Sequence, residues 1–147
     1  MISDVSCRSR VLGALLGLCA GDKNGGPLRM SLILAETLSK ETKFDEKSLF
    51  DGLFRWFQNE DEEECFDSGP TFMRVMNTFK KTGNRQLAAE SGKQSAGPNA
   101  AHRVAPIACC RWIEDESVAE FAARQAKTTH IHVQAGERVW NGVFFVF

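Results

Sequence analysis

The sequence predicts an all-α protein, a compact orthogonal bundle of helices. Apolar residues recur at spacings of three and four along most of the chain, whereas only the last few residues alternate at period two. The 147 residues fit one domain, which buries roughly two thirds of its unfolded surface. We therefore predict a helical domain over residues 1–140 and an apolar tail, foreign to this fold, over residues 141–147.

The composition is that of an ordinary globular protein and argues against two classes of partner. Hydrophobic residues make up 43% of the chain and charged residues 25%. The net charge of −1 offers no attraction to nucleic acid or to an acidic membrane surface. The longest apolar run near the start, residues 11–20, is about half as long as a membrane-spanning helix, and no signal-peptide pattern precedes it. We expect no nucleic-acid partner and no membrane partner.

The cysteines predict a reducing compartment. There are five of them, an odd number, and none stands in a Cys-x-x-Cys pair. Reduced thiols in a cytoplasmic protein are the simplest interpretation. Cys19 and Cys109 lie in apolar stretches and are predicted core residues. The adjacent Cys109 and Cys110 are also interpreted as packing residues rather than a redox or metal pair, because neighbouring helical side chains point about 100° apart.

The first predicted helix follows a Ser9 cap and ends at Gly21. Its helical period is carried by Val11, Leu12, Leu15, Leu16 and Cys19. This spacing predicts a helix at the centre of the bundle. A second apolar stripe begins near Met30, and Lys40 stands in its last turn.

Asp45 is a typical N-cap for a third helix, which carries much of the aromatic weight. Its broad apolar face is formed by Leu49, Phe50, Leu53, Phe54, Trp56 and Phe57. The acidic residues 60–64 that follow are interpreted as a solvated connection.

Four further helices are predicted beyond this connection. One starts at Pro70 and closes at Gly83, and its core face is formed by Phe72, Val75, Met76 and Phe79. The others are a short helix capped by Asn84, a helix over residues 104–112, and a helix capped by Asp115. Each of these elements supports the all-α prediction.

Three polar, glycine-rich runs, residues 21–30, 67–70 and 95–106, each lead into a predicted helix and together look like a divided ligand site. In the first run, Asp22 follows the end of the first helix, and a carboxylate at this point is held near the core. An equally good interpretation makes Asp22 a turn residue with local backbone hydrogen bonds. Asp67 opens the second run just before a proline-started helix, where the helix dipole favours an ionised carboxylate. An N-cap role explains Asp67 equally well.

The third run is the best candidate anion-binding loop in the chain. Small residues around Gly97 and Asn99 allow a phosphate-bearing ligand to approach backbone N–H groups closely. His102 is suited to stacking or donating, and Arg103 to a forked contact with phosphate or a carboxylate. The alternative is a capped loop before the next helix, with Arg103 paired to a nearby aspartate. A metal site at His130 and His132 is disfavoured, because only His102 is available as a third histidine.

These three runs, in this order and followed by Thr129-His130, resemble the ADP-ribosylglycohydrolase family, and more closely the branch that includes the J1-type crystallins. The resemblance covers roughly residues 9–138. It implies an all-α fold, and it implies that the chain corresponds to the amino-terminal half of such a protein. The implied partner is ADP-ribose or an ADP-ribosylated substrate.

The resemblance also implies roles for particular residues. Hydrolysis at the anomeric carbon of ADP-ribose would use Asp67 as a catalytic carboxylate, and we add Asp22 as the second catalytic candidate. The family loop at the third run wraps the ribose and phosphates of the ligand. The implied ligand-binding residues are Ser95, Gly97, Asn99, His102, Arg103 and His130.

Magnesium is the cofactor that the resemblance implies, but its ligands are not identifiable in this sequence. Typical members hold two Mg²⁺ ions with a Thr-Asp-Asp cluster and an Asp-x-Asp-Thr cluster, and neither run occurs here. Arg29 stands where the first cluster would need an acid. The alternative function is therefore a non-catalytic, crystallin-like or vestigial helical protein. A further option is a subunit that self-associates through uncovered apolar faces.

Overall fold

The computed structural model describes residues 4–40, 42–59, 68–97 and 99–132. These ranges contain seven α-helices and no strand, which confirms the all-α prediction. The helices are α1 (Asp4–Gly21), α2 (Gly26–Lys40), α3 (Glu46–Asn59), α4 (Pro70–Thr82), α5 (Arg85–Ser91), α6 (Ala105–Ala108) and α7 (Val118–Lys127). Short 3₁₀ turns precede α6 and α7, at Asn99–Arg103 and Asp115–Ser117. The predicted acidic connection, residues 60–64, and the predicted tail, residues 141–147, lie outside the described residues.

Helix α3 carries much of the aromatic weight of the core, as predicted. Leu49 and Leu53 are fully buried, and the phenylalanine rings of the same face contact those of α4 edge to face. Phe79 on α4 lies with its ring centroid 5.0 Å from that of Phe50 and 4.6 Å from that of Phe54. Helices α2, α6 and α7 contribute further large side chains to the cluster, among them Met30, Leu34, Ile107 and Val118.

Three predicted helix boundaries are set by local caps. The carboxylate of Asp45 accepts from the Lys47 backbone N–H at 2.9 Å and from the Ser48 hydroxyl at 2.7 Å, at the start of α3. The Asn84 side chain accepts two backbone N–H bonds at the start of α5. Gly83 ends α4 in the left-handed region, with φ of 62°, which a residue bearing a Cβ rarely adopts.

Helix α1 does not lie at the centre of the bundle, so that prediction is wrong. Leu12 and Leu16 are each 58% exposed, and Cys19, a predicted core residue, is exposed as well. The physical reason is that the principal contacts of α1 among the described elements are with α2 and α6, and these contacts leave Leu12 and Leu16 of its apolar face exposed. Helical periodicity reveals which residues share a face, but not whether the fold covers that face.

The predicted helix over residues 104–112 is shorter in the structure. Helix α6 ends at Ala108, and the chain then turns through Cys109 and Cys110, which are only partly buried. This turn brings the Trp112 indole N–H to the carbonyl oxygen of Leu38, 3.0 Å away, at the end of α2. Burial raises the pKa of the Cys110 thiol, so this group stays protonated at neutral pH.

Candidate functional site

Asp22 caps the start of α2. One carboxylate oxygen accepts from the backbone N–H groups of Gly25 and Asn24, at 2.8 and 3.3 Å, and the other accepts from that of Leu28 at 2.7 Å. The turn requires Gly25, whose φ is 81°. Helix α2 consequently begins at Gly26, four residues before the predicted stripe. The local hydrogen bonds weighed from the sequence are therefore present, and a catalytic role for Asp22 stays a prediction.

The start of α4 is joined to the loop that carries Ser95 and Asn99. A Cβ atom on Gly69 would lie 2.0 Å from Nδ2 of Asn99, so only glycine allows the Asn99 side chain this close to the backbone. Two residues further along, the buried Thr71 hydroxyl is hydrogen-bonded to the Ser95 hydroxyl. The N-cap position of α4 is Gly69 itself. Asp67 lies outside the described residues.

The same loop is joined to α2 through the turn Asn99–Arg103. The hydroxyl of Ser31, which is fully buried, donates to the carbonyl oxygen of His102 at 3.4 Å. The His102 side chain is exposed, whereas Gly97, Ser95 and Asn99 are partly buried. The third glycine-rich run thus lies between α2 and α4, with its His102 ring facing solvent.

Arg103 is buried in a cage of neutral oxygen atoms. Its side chain is 1% exposed. Nε donates to Oε1 of Gln125 at 2.8 Å, and Nη2 donates to the Gln125 carbonyl oxygen and to the hydroxyls of Thr128 and Thr129, at 3.0, 3.2 and 2.9 Å. Burial lowers the pKa of the guanidinium to about 9, so it remains a cation at neutral pH. Among the described residues, amides and hydroxyls take the place of the phosphate or carboxylate that its residue type suggested.

His130 is the residue after Thr129 in the chain, and it is also buried, with 1% of its surface exposed. Its Nδ1 atom lies 2.8 Å from the Thr129 hydroxyl oxygen. Its Nε2 atom is buried and has no hydrogen-bond partner among the described residues. Burial, together with the charges of Arg103 and His102, lowers the pKa of His130 to about 3. The ring is therefore neutral at physiological pH.

These contacts join the segments that carry three of the predicted site residues, Asn99, Arg103 and His130. The turn Asn99–Arg103 meets α2 at Ser31, the start of α4 at Gly69, and the segment Thr128–His130 through Arg103. Asn99, Arg103 and His130 therefore belong to one cluster of segments. Asp22 stands apart at the first turn of α2, where its described partners are backbone amides.

Two buried polar residues that were not predicted from the sequence, Gln125 and Ser31, hold this cluster together. The Gln125 side chain connects Arg103 to the carbonyl oxygen of Ala100, to which its Nε2 donates at 3.0 Å. The sequence pattern could have revealed Gln125, because this residue continues the apolar stripe of Val118 and Ala122 on α7. A polar residue in such a stripe needs a buried partner.

The described residues do not supply a magnesium site. They contain no group of three histidine, cysteine, aspartate or glutamate side chains that could hold a metal ion. Both oxygens of Asp22 are already engaged by backbone N–H groups, and Arg29 nearby is exposed. Mg²⁺ requires several oxygen ligands in octahedral geometry, so the donor set described here does not fit it.

Two clefts lie outside the cluster. One, of about 750 Å³, lies between α1, α2 and α6 and is mainly apolar. The other, of about 350 Å³, lies between α3, α5 and α7, and its lining includes Arg85, Arg124 and Lys127. Neither lining contains Asn99, Arg103 or His130, although Thr128 reaches the second cleft. The described helices include none that is long and apolar enough to cross a membrane.

The protein is helical, and the loops at its helix ends carry a cluster of buried polar side chains that includes Arg103, Thr129 and His130. Residues 3–144 match the ADP-ribosylglycohydrolase family, and the chain belongs to that family. The match confirms the family resemblance and extends into the predicted tail at residues 141–144. No curated protein and no solved structure matches the chain. The J1-crystallin branch stays a prediction.

Proposed function

We propose that this protein binds ADP-ribose, or the ADP-ribosyl group of a modified acceptor, where the turn Asn99–Arg103 meets Thr128–His130. Membership of the ADP-ribosylglycohydrolase family supports this choice of ligand. The observation that carries it is the buried Nε2 atom of His130, which lacks a partner among the described residues. An unsatisfied buried polar atom costs about 1–3 kcal/mol, and a ligand oxygen at this position would recover that loss.

The side chains of the cluster suit different parts of such a ligand. The backbone amides and small side chains around Gly97 and Asn99 would contact the phosphates or ribose. The exposed His102 ring would stack or donate at the rim. Arg103 would act from behind the site, because its guanidinium is held by protein oxygens while its positive charge still favours a bound anion.

Hydrolysis is the proposed chemistry of the site in its enzymatic form. A water oxygen adds to the anomeric carbon, the bond from that carbon to the acceptor nitrogen or oxygen breaks, and the leaving atom takes a proton. Asp67 is the proposed carboxylate that stabilises the oxocarbenium-like state, with Asp22 as the second candidate. The family expectation of Mg²⁺ is retained without assigned ligands, because the described residues do not fit that ion.

A non-catalytic, crystallin-like protein is the second candidate function. Two observations favour it: the Asp22 carboxylate is engaged in capping α2, and the described residues contain no cluster of metal ligands. A protein of this kind could retain the ligand cluster without hydrolysing the ligand.

Calorimetry with ADP-ribose tests the binding proposal. We expect Asn99→Ala to weaken binding, because Asn99 lies at the junction with α4, and Asn77→Ala on the exposed face of α4 to bind as the wild type does. Absence of heat with the wild-type protein at millimolar ADP-ribose would contradict the proposal.

Release of free ADP-ribose from a modified arginine or serine peptide separates the two candidate functions. The enzymatic form predicts release, in the presence of Mg²⁺, that Asp67→Asn abolishes. Binding without release supports the non-catalytic alternative.

Two further properties are proposed. The exposed Leu12 and Leu16 of α1 favour self-association through this helix, and a monomeric mass at micromolar concentration would contradict it. A cytoplasmic location is supported by the reduced cysteines Cys19, Cys109 and Cys110, a state that a reducing compartment preserves. Microscopy of a tagged chain that places it in a secretory compartment would refute this location.

A further inference from the structure

The hydroxyl of Thr129 lies between a buried cation and a buried imidazole. Its oxygen is 2.9 Å from Nη2 of Arg103 and 2.8 Å from Nδ1 of His130. All three side chains are at most 1% exposed. We propose that Arg103 is a positioning residue which, through Thr129, holds His130 in the tautomer protonated at Nε2, so that His130 offers a hydrogen-bond donor to the ligand.

The direction of these hydrogen bonds follows from the chemistry of the groups. A guanidinium only donates, so the Thr129 oxygen must accept from Arg103. The hydroxyl hydrogen then needs an acceptor, and Nδ1 of His130 is the one within reach among the described residues. A proton on Nδ1 instead would make the Thr129 oxygen accept from both Arg103 and His130 and would leave the hydroxyl hydrogen without a described acceptor. The adjacent positive charge also makes the hydroxyl a stronger donor.

Arg103 is also held by groups other than Thr129. Its Nε donates to the side chain of Gln125, and Nη2 also donates to the Gln125 carbonyl oxygen. The Gln125 amide is itself fixed by its hydrogen bond to Ala100. Removing the Thr129 hydroxyl would therefore break the link to His130 while these anchors of the guanidinium remain.

Thr128 provides a matched control for Thr129. Its hydroxyl also accepts from Nη2 of Arg103, at 3.2 Å, but it donates to the Gln125 carbonyl oxygen at 2.7 Å. Both threonines are buried, both contact the same cation, and Thr129 is the one whose hydroxyl contacts His130. Valine at either position keeps the shape and removes the hydroxyl.

The tautomer decides what His130 can do. With hydrogen on Nε2, the buried nitrogen without a described partner is a donor and selects an acceptor oxygen, such as a ribose hydroxyl or a phosphate. The groups that influence the ring electrostatically are Arg103 and His102, and both disfavour a second proton. In this state His130 is a neutral donor and not a general base. The tautomer stands on its own, whereas the identity of the acceptor rests on the proposed function.

Long-range ¹H–¹⁵N correlation spectra of the protein labelled with ¹⁵N histidine test the proposal. We expect the His130 ring of the wild type to be protonated at Nε2 at neutral pH, with assignment from His102→Gln and His132→Gln. Thr129→Val should produce a substantial Nδ1-protonated population, Thr129→Ser should restore the wild-type pattern, and Thr128→Val should leave it unchanged. A wild-type ring protonated at Nδ1, or a Thr129→Val spectrum identical to that of the wild type, would overturn the proposal.

Calorimetry on the same variants tests the consequence for the ligand. We expect Thr129→Val to bind ADP-ribose about tenfold more weakly than the wild type, and Thr128→Val, which keeps the hydrogen bond from Thr129 to His130, to lose less affinity than Thr129→Val. If the wild-type ring is protonated at Nε2 but ADP-ribose gives no heat, the proposed ligand is wrong and the tautomer stands. If ADP-ribose binds to a ring protonated at Nδ1, the positioning role of Arg103 is wrong and the proposed function stands.

Discussion

Replacing Gln125 by leucine tests whether the buried cage of Arg103 holds the site together. The substitution removes the charge-assisted bond from Arg103 Nε, which contributes about 1.5–3 kcal/mol. It also removes the bond from Gln125 Nε2 to the Ala100 carbonyl oxygen, which contributes about 1 kcal/mol. The added apolar burial of leucine offsets part of this loss, whereas the guanidinium is left with fewer acceptors. We expect the free energy of unfolding to fall by about 3 kcal/mol.

Urea unfolding followed by tryptophan fluorescence measures this change, since the chain has three tryptophans. The matched control is Gln86→Leu on α5, whose exposed side chain makes a 3.4 Å contact to Glu90. We expect that control to change the free energy of unfolding by less than about 0.5 kcal/mol. If Gln125→Leu were as stable as the control, the oxygen cage would not support Arg103 in the way described.

Three other substitutions probe the site and the helix that borders it. Gly69→Ala should lower the free energy of unfolding by about 1–3 kcal/mol, because φ at this position is 86° and the new Cβ would collide with Asn99. The control Gly13→Ala in α1 places a Cβ with no atom within 4 Å, so it should raise the free energy of unfolding by about 0.5–1 kcal/mol. Chemical denaturation compares the two variants. The folded-state pKa of His130 is lowered from an ordinary 6.5 to about 3, so the unfolded chain binds a proton first and the free energy of unfolding falls as the pH drops from 6.5 towards 3. His130→Phe should flatten that part of the curve of stability against pH. An unchanged slope would refute the lowered pKa of His130. Leu16→Gln should alter the free energy of unfolding by less than about 0.5 kcal/mol, because this side chain is 58% exposed, and a larger loss would place α1 in the core after all.

The elements that sequence reasoning predicted well are those whose causes are local. The caps at Asp45 and Asn84 satisfy backbone groups two or three residues away, and the stop at Gly83 depends on one backbone angle. Such features are determined within one turn of the chain. The apolar face of α3 was likewise readable, because aromatic residues at helical spacing are seldom left in water.

The position of α1 and the surroundings of Arg103 depend on contacts that a single sequence does not display. The apolar residues of α1 signal a helix that needs cover, yet nothing in their spacing identifies the elements that provide it. Arg103 is hydrogen-bonded to Gln125, which lies 22 positions later in the sequence, on α7. An arginine near glycine-rich residues suggests an anion, and only the three-dimensional structure reveals neutral oxygens at hydrogen-bond distance instead.

The two candidate carboxylates precede helices that begin with different N-caps. At the start of α2, the N–H groups that need an acceptor are satisfied by Asp22, so its oxygens point at the backbone. At the start of α4, the N-cap is Gly69, which has no side chain to accept, and the Asn99 amide lies against it. A carboxylate that acts on substrate needs a lone pair directed at the ligand, and both oxygens of Asp22 already accept from backbone N–H groups. The proposed hydrolysis therefore depends on Asp67 more than on Asp22, although both occupy glycine-rich runs that looked alike in the sequence.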